Sequence, residues 1–317
     1  MLESAKMNEQ EIITWLLEGD VSIQYQVYRD LLDQDRKDLQ LRIDQEGWGK
    51  RFLEKRNPTG HWGLQFYQPK WISTHYTLLD LRNLNLHPEN PITKDAIQLV
   101  LRSGKAEDGG LPLGPSTKER SDVCVNGMFL NYASYFKTET PHLKSVVDSI
   151  LSEKMPDGGF NCRTTRSGAK HSSLHTTISV LEGFYEFQKS GYSYRWKDIK
   201  KAKASAEEFI LQHHLFLSDR TGKIIHKEFL KMAYPNRWKY DILRALDYFQ
   251  YAQCPWDERI REAIQLIAKK RNKNLSWNSN AKHPGQVHFD MEASGKPSRW
   301  NTLRALRVLK FYKDFLY

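Results

Sequence analysis

The stretch "DGGFNCRTTRSGAKHSSLHTTISVLEGFYEF", residues 157 to 187, joins a glycine turn, a loop and a long apolar helix. The glycine pair marks the turn, and the seryl residues 172 and 173 are candidate helix caps. Apolar residues in the helical part occupy more than one face, which is typical of a helix buried on both sides. This unit of turn, loop and buried helix recurs along the chain and decides the fold.

Five copies of the unit can be read from the sequence, and internal repetition of this kind indicates a repeat architecture. The turns are "TGHWG" (59–63), "DGGLPLG" (108–114), "DGGFNC" (157–162), "TGKII" (221–225) and "LSW" (275–277). The buried helices that follow them are predicted at 73–84, 122–136, 172–187, 236–249 and 298–312. A helix at 20–32 fits as a sixth copy without its leading loop.

Amphipathic helices with a single narrow apolar stripe alternate with the buried ones. They are predicted at 9–18, 92–104, 141–155, 196–211 and 257–269. No strand-like alternation is sustained, so the fold class is all-α. Buried inner helices that alternate with amphipathic outer helices predict an (α/α)6 toroid, formed by one domain that covers residues 1–317. An open solenoid of helix pairs is the alternative architecture.

The connections between the predicted helices have two lengths. Inner-to-outer connections are short, whereas outer-to-inner connections such as 105–120, 156–171 and 270–298 are long. Long loops in a compact domain commonly carry function. We therefore expect the functional site on the rim where the inner helices begin.

The composition excludes several classes of protein. No apolar run approaches the roughly 18 residues of a membrane span, and the N-terminal segment lacks a signal-peptide core. Three cysteines, Cys124, Cys162 and Cys254, imply no disulfide framework. A cytoplasmic protein with reduced thiols is the expectation.

A formal charge of +10 raises the question of nucleic-acid binding. The lysines and arginines are spread along the chain, and the densest runs, 200–208 and 269–274, fall at predicted helix ends. Solvated helix surfaces explain this pattern better than a nucleic-acid groove does.

Three residues at neighbouring helix starts could share a metal ion. Asp122 lies in the cap of the third inner helix and Cys124 in its first turn, while His175 begins the next inner helix. The helix dipole would favour a thiolate at Cys124. Oxygen, sulfur and nitrogen ligands with a fourth position open are typical of catalytic zinc.

The repeated glycine-turn unit resembles that of the protein prenyltransferase β subunits and of the squalene-hopene and oxidosqualene cyclases. The resemblance extends from about residue 20 to the end. In it, Asp122 and Cys124 match the Asp-x-Cys zinc ligands of the prenyltransferases, and His175 matches their zinc histidine. The resemblance implies a Zn²⁺ cofactor, an isoprenoid substrate and a separate partner subunit.

The chain departs from this family at two points. Lys118 and Arg120 are near the place where the family binds diphosphate, but Val125 follows the cysteine where a tyrosine is expected. The DxDD acid of the class II cyclases is missing, which argues against protonation-initiated cyclisation.

The leading hypothesis is therefore a zinc-dependent, prenyltransferase-like enzyme acting on an apolar, isoprenoid-type substrate in a central cavity. Lys118 and Arg120 would neutralise an anionic leaving group, and His226 and Tyr234 would be polar groups facing the cavity. The alternative is a non-catalytic carrier of an apolar ligand or an interaction scaffold on the same toroid. A nucleic-acid-binding toroid is a third hypothesis that rests on the charge alone.

Overall fold

The computed structural model describes residues 9–114, 117–163 and 167–315. These residues are predominantly helical, which confirms the all-α prediction. The helices that correspond to the predicted inner set are α2 (Val21–Asp30), α5 (Thr74–Asn83), α7 (Val123–Tyr135), α9 (Leu174–Lys189), α11 (Ile242–Tyr251) and α13 (Arg299–Phe311).

The remaining α-helices of the described residues precede these in the chain or lie between them. They are α1 (Glu9–Leu17), α3 (Lys37–Arg42), α4 (Gly47–Leu53), α6 (Pro91–Arg102), α8 (Thr140–Ser152), α10 (Trp196–Gln212) and α12 (Arg261–Lys269). One short antiparallel pair, β1 (Trp277–Asn278) and β2 (Pro297–Ser298), closes the base of the last long loop.

Two regions differ from the sequence prediction. Helices α3 and α4 fill the gap between the first two inner helices, where no outer helix was predicted. Helix α11 begins at Ile242, six residues after the predicted start at 236. The cause is local: Arg237 has a φ of +57°, outside the right-handed helical region, and Asp241 caps the helix by accepting the Arg244 N–H at 2.8 Å.

A repeated hydrogen bond ties four of the five turns to the inner helices that follow them. In four repeats, the backbone N–H of the apolar turn residue donates to a Thr or Asn side chain of that helix. The pairs are Trp62 with Thr74 (3.1 Å), Leu111 with Asn126 (2.8 Å), Phe160 with Thr177 (3.0 Å) and Trp277 with Thr302 (3.0 Å). These turn residues are buried, so their N–H groups require an acceptor from the protein.

The turn aspartates add a second tie in the two "DGG" copies. Asp108 accepts from the N–H of Ser121 at 2.7 Å, and Asp157 accepts from the N–H of Ser172 at 2.7 Å. Both serines lie just before the start of an inner helix. The long loops are therefore held at both ends, and the helix starts have fixed positions.

The inner helices contact one another in chain order from α5 to α13, and α13 also contacts α2. Between α2 and α5, Gln26 donates to the carbonyl of Asn83 at 3.0 Å. The most extensive contact is between α7 and α9, where glycines face each other: a Cβ at Gly183 would lie 2.4 Å from the carbonyl oxygen of Gly127. No helix in the described part of the chain is long and apolar enough to cross a membrane.

We predict that Thr177→Val lowers the free energy of unfolding by about 1–3 kcal/mol, because the buried N–H of Phe160 loses its acceptor. Urea denaturation followed by circular dichroism measures the change. Thr221→Val, in an exposed turn, is the matched control and should differ from the wild type by less than about 0.5 kcal/mol. Equal stabilities of the two variants would contradict the role given to the repeated hydrogen bond.

Candidate functional site

The start of α7 brings Asp122 and Cys124 close to a residue that the zinc hypothesis did not include. Asp122 is the N-cap residue of α7, and the backbone N–H of Cys124 donates to the sulfur of Cys162 at 3.0 Å. The hydroxyl of Thr176, in α9, also donates to this sulfur at 3.5 Å. Hydrogen bonding from the Cys124 side chain lowers the pKa of Cys162, against the opposing effect of burial.

His175 has its contacts elsewhere. Its Nδ1 accepts the backbone N–H of Tyr240 at 2.8 Å, and its ring packs against Phe229 and Trp238. Burial lowers the pKa of His175 to about 4, assisted by the charge of Lys239. A neutral imidazole that accepts at Nδ1 carries its proton on Nε2. In this arrangement His175 has no lone pair left for a metal ion.

The described residues contain no group of three or more His, Cys, Asp and Glu side chains arranged to hold a metal ion. Within the described residues, Asp122, Cys124 and His175 therefore do not form a set of metal ligands. The zinc site stays a prediction.

The other predicted site residues lie apart from one another. Arg120 is exposed and pairs with Glu153 on the surface, and Lys118 is also exposed. His226 lines a side cavity of about 220 Å³ with His175 and other residues. Of the predicted catalytic residues, only Tyr234 reaches the cavity between the inner helices.

The central cavity has a volume of about 100 Å³ and receives side chains from every inner helix. Examples from α2, α5, α7, α9, α11 and α13 are Gln26, Leu79, Asn131, Glu182, Asp247 and Arg304. Its arginines are Arg29, Arg82, Arg237, Arg244, Arg304 and Arg307. Apolar side chains contribute little to the lining, so the cavity is a polar, arginine-rich chamber.

Each arginine of the central cavity makes an ion pair. The pairs are Arg29 with Asp30, Arg82 with Glu186, Arg237 with Asp80, Arg244 with Glu182, Arg304 with Asp247, and Arg307 with both Asp30 and Asp247. Six guanidinium groups thus meet five carboxylates, which leaves one net positive charge among these partners.

The arginines differ in how completely their donors are used. Arg244 donates to both carboxylate oxygens of Glu182, at 2.8 and 2.6 Å, and to the carbonyl of Lys239 at 2.8 Å. In contrast, Arg304 Nη1 and Arg82 Nε are buried and find no acceptor among the described residues, and the same holds for Trp300 Nε1. Three donors on side chains of the cavity wall are therefore unsatisfied, at a cost of about 1–3 kcal/mol each.

Two aromatic rings border the central cavity, and the carboxyl group of Asp241, which lines the side cavity, interacts electrostatically with two of its arginines. Tyr234 stacks on Trp300 with ring centroids 4.8 Å apart, and the Arg304 guanidinium lies 5.9 Å from the Tyr234 ring. Burial raises the pKa of Asp241 to about 6, although the positive charges of Arg304 and Arg244 oppose the shift. Asp241 can therefore change its charge near neutral pH beside two cavity arginines.

No protein-family model and no curated protein sequence matches this chain.

The raised pKa of Asp241 predicts a pH-dependent stability. Because the folded protein holds the Asp241 proton more tightly than the unfolded chain, this group favours folding below about pH 4 and loses that contribution as the pH rises through about 6. Asp241→Asn keeps the helix-capping oxygen but removes the charge. The free energy of unfolding of this variant minus that of the wild type should increase by up to about 3 kcal/mol from pH 4 to pH 7. Urea titrations at several pH values test this, and a constant difference would contradict it.

Proposed function

We propose that the helices form one (α/α)6 toroid around the central cavity. The contacts of the inner helices in chain order support this architecture, as does the contact between α13 and α2. A cavity lined from all six inner helices also supports a closed ring over an open solenoid. A single buried apolar cluster that extends from Leu16 to Tyr312 is in keeping with one domain.

We further propose that the central cavity binds a small anion that carries a phosphate or diphosphate group. The observation that supports this proposal is the set of three buried, unsatisfied donors on Arg82, Trp300 and Arg304. Two of the three belong to guanidinium groups, whose planar fork matches the oxygens of phosphate and carboxylate. An anion supplies the acceptors and the negative charge that this set of donors lacks.

The size of the central cavity limits what can enter it. A dry apolar cavity of about 150 Å³ binds one benzene molecule. The central cavity, at about 100 Å³, is smaller than that. A phosphate group is of this size, whereas an isoprenoid chain is not. The expected isoprenoid would therefore extend out of the cavity, with its diphosphate inside.

Isothermal titration calorimetry with inorganic phosphate, inorganic diphosphate and a prenyl diphosphate tests the proposal. We expect inorganic diphosphate to bind, and a prenyl diphosphate to bind more tightly only if the isoprenoid chain also finds a surface on the protein. If none of the three binds at low salt, the proposal is wrong. Equal affinities for inorganic diphosphate and the prenyl diphosphate would mean that the protein recognises only the diphosphate group.

Two substitutions locate the binding. Arg304→Gln removes the unsatisfied Nη1 donor, while Asp247 keeps its ion pair with Arg307. We expect the diphosphate affinity to fall about 10- to 100-fold, as for the loss of one charged hydrogen bond. Trp300→Phe keeps the stacked ring and removes only the Nε1 donor, so a smaller loss is expected. Arg259→Gln, on the surface, is the matched control and should bind as the wild type does.

Protonation of Asp241 should strengthen anion binding, since the ionised carboxylate competes for the charges of Arg304 and Arg244. Sulfate is the suitable probe because it does not titrate in this range, unlike a phosphate monoester. We expect sulfate affinity to rise as the pH falls from 7 to 5, with a midpoint near 6. Asp241→Asn should remove that change, and a wild-type profile without a midpoint near 6 would count against the assignment.

A zinc-dependent, prenyltransferase-like activity is the second candidate. It is favoured by the proximity of Asp122, Cys124 and Cys162 at the start of α7, where the backbone N–H of Cys124 and the Thr176 hydroxyl donate to the Cys162 sulfur. The ligand set predicted from the sequence fits the present arrangement poorly, because His175 would have to release the N–H of Tyr240 before it could bind zinc. We therefore derive no catalytic step from a zinc ion. The cytoplasm is the compartment that we propose for either function.

The metal content of protein purified without chelators tests the second candidate. It predicts one equivalent of zinc in the parent protein and none in Cys124→Ala or His175→Ala. A parent protein that contains no zinc and takes up none on addition rejects it. Neither result bears on anion binding by the central cavity, so the two candidates are tested separately.

A further inference from the structure

Two cysteine sulfurs lie together at the start of α7. The Cys162 sulfur accepts the backbone N–H of Cys124 at 3.0 Å, and the Cys124 side chain hydrogen-bonds to the same sulfur. Both residues are partly exposed, and both are thiols in this structure. The two sulfurs are therefore within hydrogen-bonding distance of each other.

The position of Cys162 is fixed by more than this one contact. Its backbone N–H donates to the Thr176 hydroxyl at 3.3 Å, and that hydroxyl donates in turn to the Cys162 sulfur. The preceding turn is held through Phe160 and Thr177. Because α7 and α9 make the most extensive helix contact in the structure, the two cysteines are held against each other by the fold.

We propose that Cys124 and Cys162 form a reversible disulfide bond when the protein meets hydrogen peroxide. The Cys162 sulfur, which accepts two hydrogen bonds from groups of α7 and α9, is the nucleophile. This site is distinct from the central cavity and does not rest on the function proposed for it.

The reaction has two steps that balance. The Cys162 thiolate attacks one oxygen of hydrogen peroxide, the O–O bond breaks, and sulfenic acid and hydroxide form. The Cys124 sulfur then attacks the sulfenic sulfur, the S–O bond breaks, and a disulfide and water form. In sum, two thiols and one hydrogen peroxide give one disulfide and two waters. A dithiol such as dithiothreitol returns both cysteines to thiols by exchange.

Cys254 provides an internal control. It follows the C-terminal end of α11, and burial raises its pKa to about 12, assisted by the charge of Glu207. A thiol that stays protonated reacts slowly with peroxide. Selective oxidation of the other two cysteines is therefore expected while Cys254 stays a thiol.

Peptide mapping tests the proposal directly. Reduced, desalted protein is treated with hydrogen peroxide, the remaining thiols are alkylated, and the protein is digested with trypsin without a reductant. We expect the peptide of residues 121–137 joined to that of residues 155–163, with the peptide of residues 245–259 alkylated at Cys254. Treatment with dithiothreitol before alkylation should abolish the joined species.

Variants distinguish the pair from general oxidation. Cys254→Ser should form the joined peptides as the wild type does. Cys124→Ser should stop at the sulfenic acid of Cys162, detected with a dimedone probe, whereas Cys162→Ser should leave Cys124 largely unmodified. Oxidation should also raise the melting temperature of the wild type by several degrees, because the bond closes a long loop between residues that are 38 positions apart.

Three results would overturn the proposal: oxidation of Cys254 at the same rate as the other two cysteines, disulfide-linked dimers in place of the intramolecular bond, or no joined peptide at any peroxide concentration. Peptide mapping of the wild-type protein over a time course, together with non-reducing gel electrophoresis of the intact protein, decides among them, so the test does not depend on the folding of any variant. Parallel samples treated with a chelator keep a bound metal from protecting the thiols.

Discussion

The hydrogen bond from a turn to the inner helix that follows it is the interaction on which the rest of the structure depends. In each of four repeats, a buried backbone N–H finds its acceptor on a Thr or Asn side chain near the helix start. The bond fixes where a long loop ends and at what point the inner helix begins. Without this bond, the buried N–H of the turn residue would be unpaired. The position at which the inner helix begins would then not be fixed relative to its neighbours. The positions of the cysteine pair and of the central cavity both depend on where the inner helices begin.

The ion pairs of the central cavity are difficult to explain by stability alone. Removing paired charges from water is costly, and well-packed apolar side chains of similar volume are often at least as stable. A chain that buries Arg82, Arg237, Arg244 and Arg304 between its inner helices therefore has another use for them, or needs them to set the order of the helices. The donors left unsatisfied on Arg82 and Arg304 favour ligand binding, since a network that only oriented the helices would be satisfied by its own carboxylates, as Arg244 is.

Much of the fold could be predicted from the sequence, because the repeat of turn and apolar helix is strong. The bounds of α5, α7 and α13 lie within two residues of the predicted segments. Helix α3 was missed because six residues are too short to show an apolar period. The late start of α11 could not be predicted either, since the positive φ of Arg237, whose side chain pairs with buried Asp80, cannot be read from the sequence.

The candidate site was less accessible to sequence reasoning. Proximity of Asp122 and Cys124 follows from their spacing, but the approach of Cys162 depends on how the turn before α9 folds back onto α7. The charges of the central cavity come from five of the inner helices and from Arg237. Each of them looks like an ordinary solvated charge within its own segment of sequence. A signal was present all the same: Arg244, Asp247 and Arg304 interrupt helices whose neighbours are buried and apolar. Charged residues on helices predicted to be buried on both sides point to an interior polar site.

The most direct test of the account is a crystal structure of the protein soaked with tungstate, whose anomalous scattering marks the position of a bound oxyanion. The account predicts one strong peak in the central cavity, within hydrogen-bonding distance of Arg82, Trp300 and Arg304, inside a closed ring of inner helices. Peaks only on the outer surface, with ordered water satisfying those three donors, would contradict it.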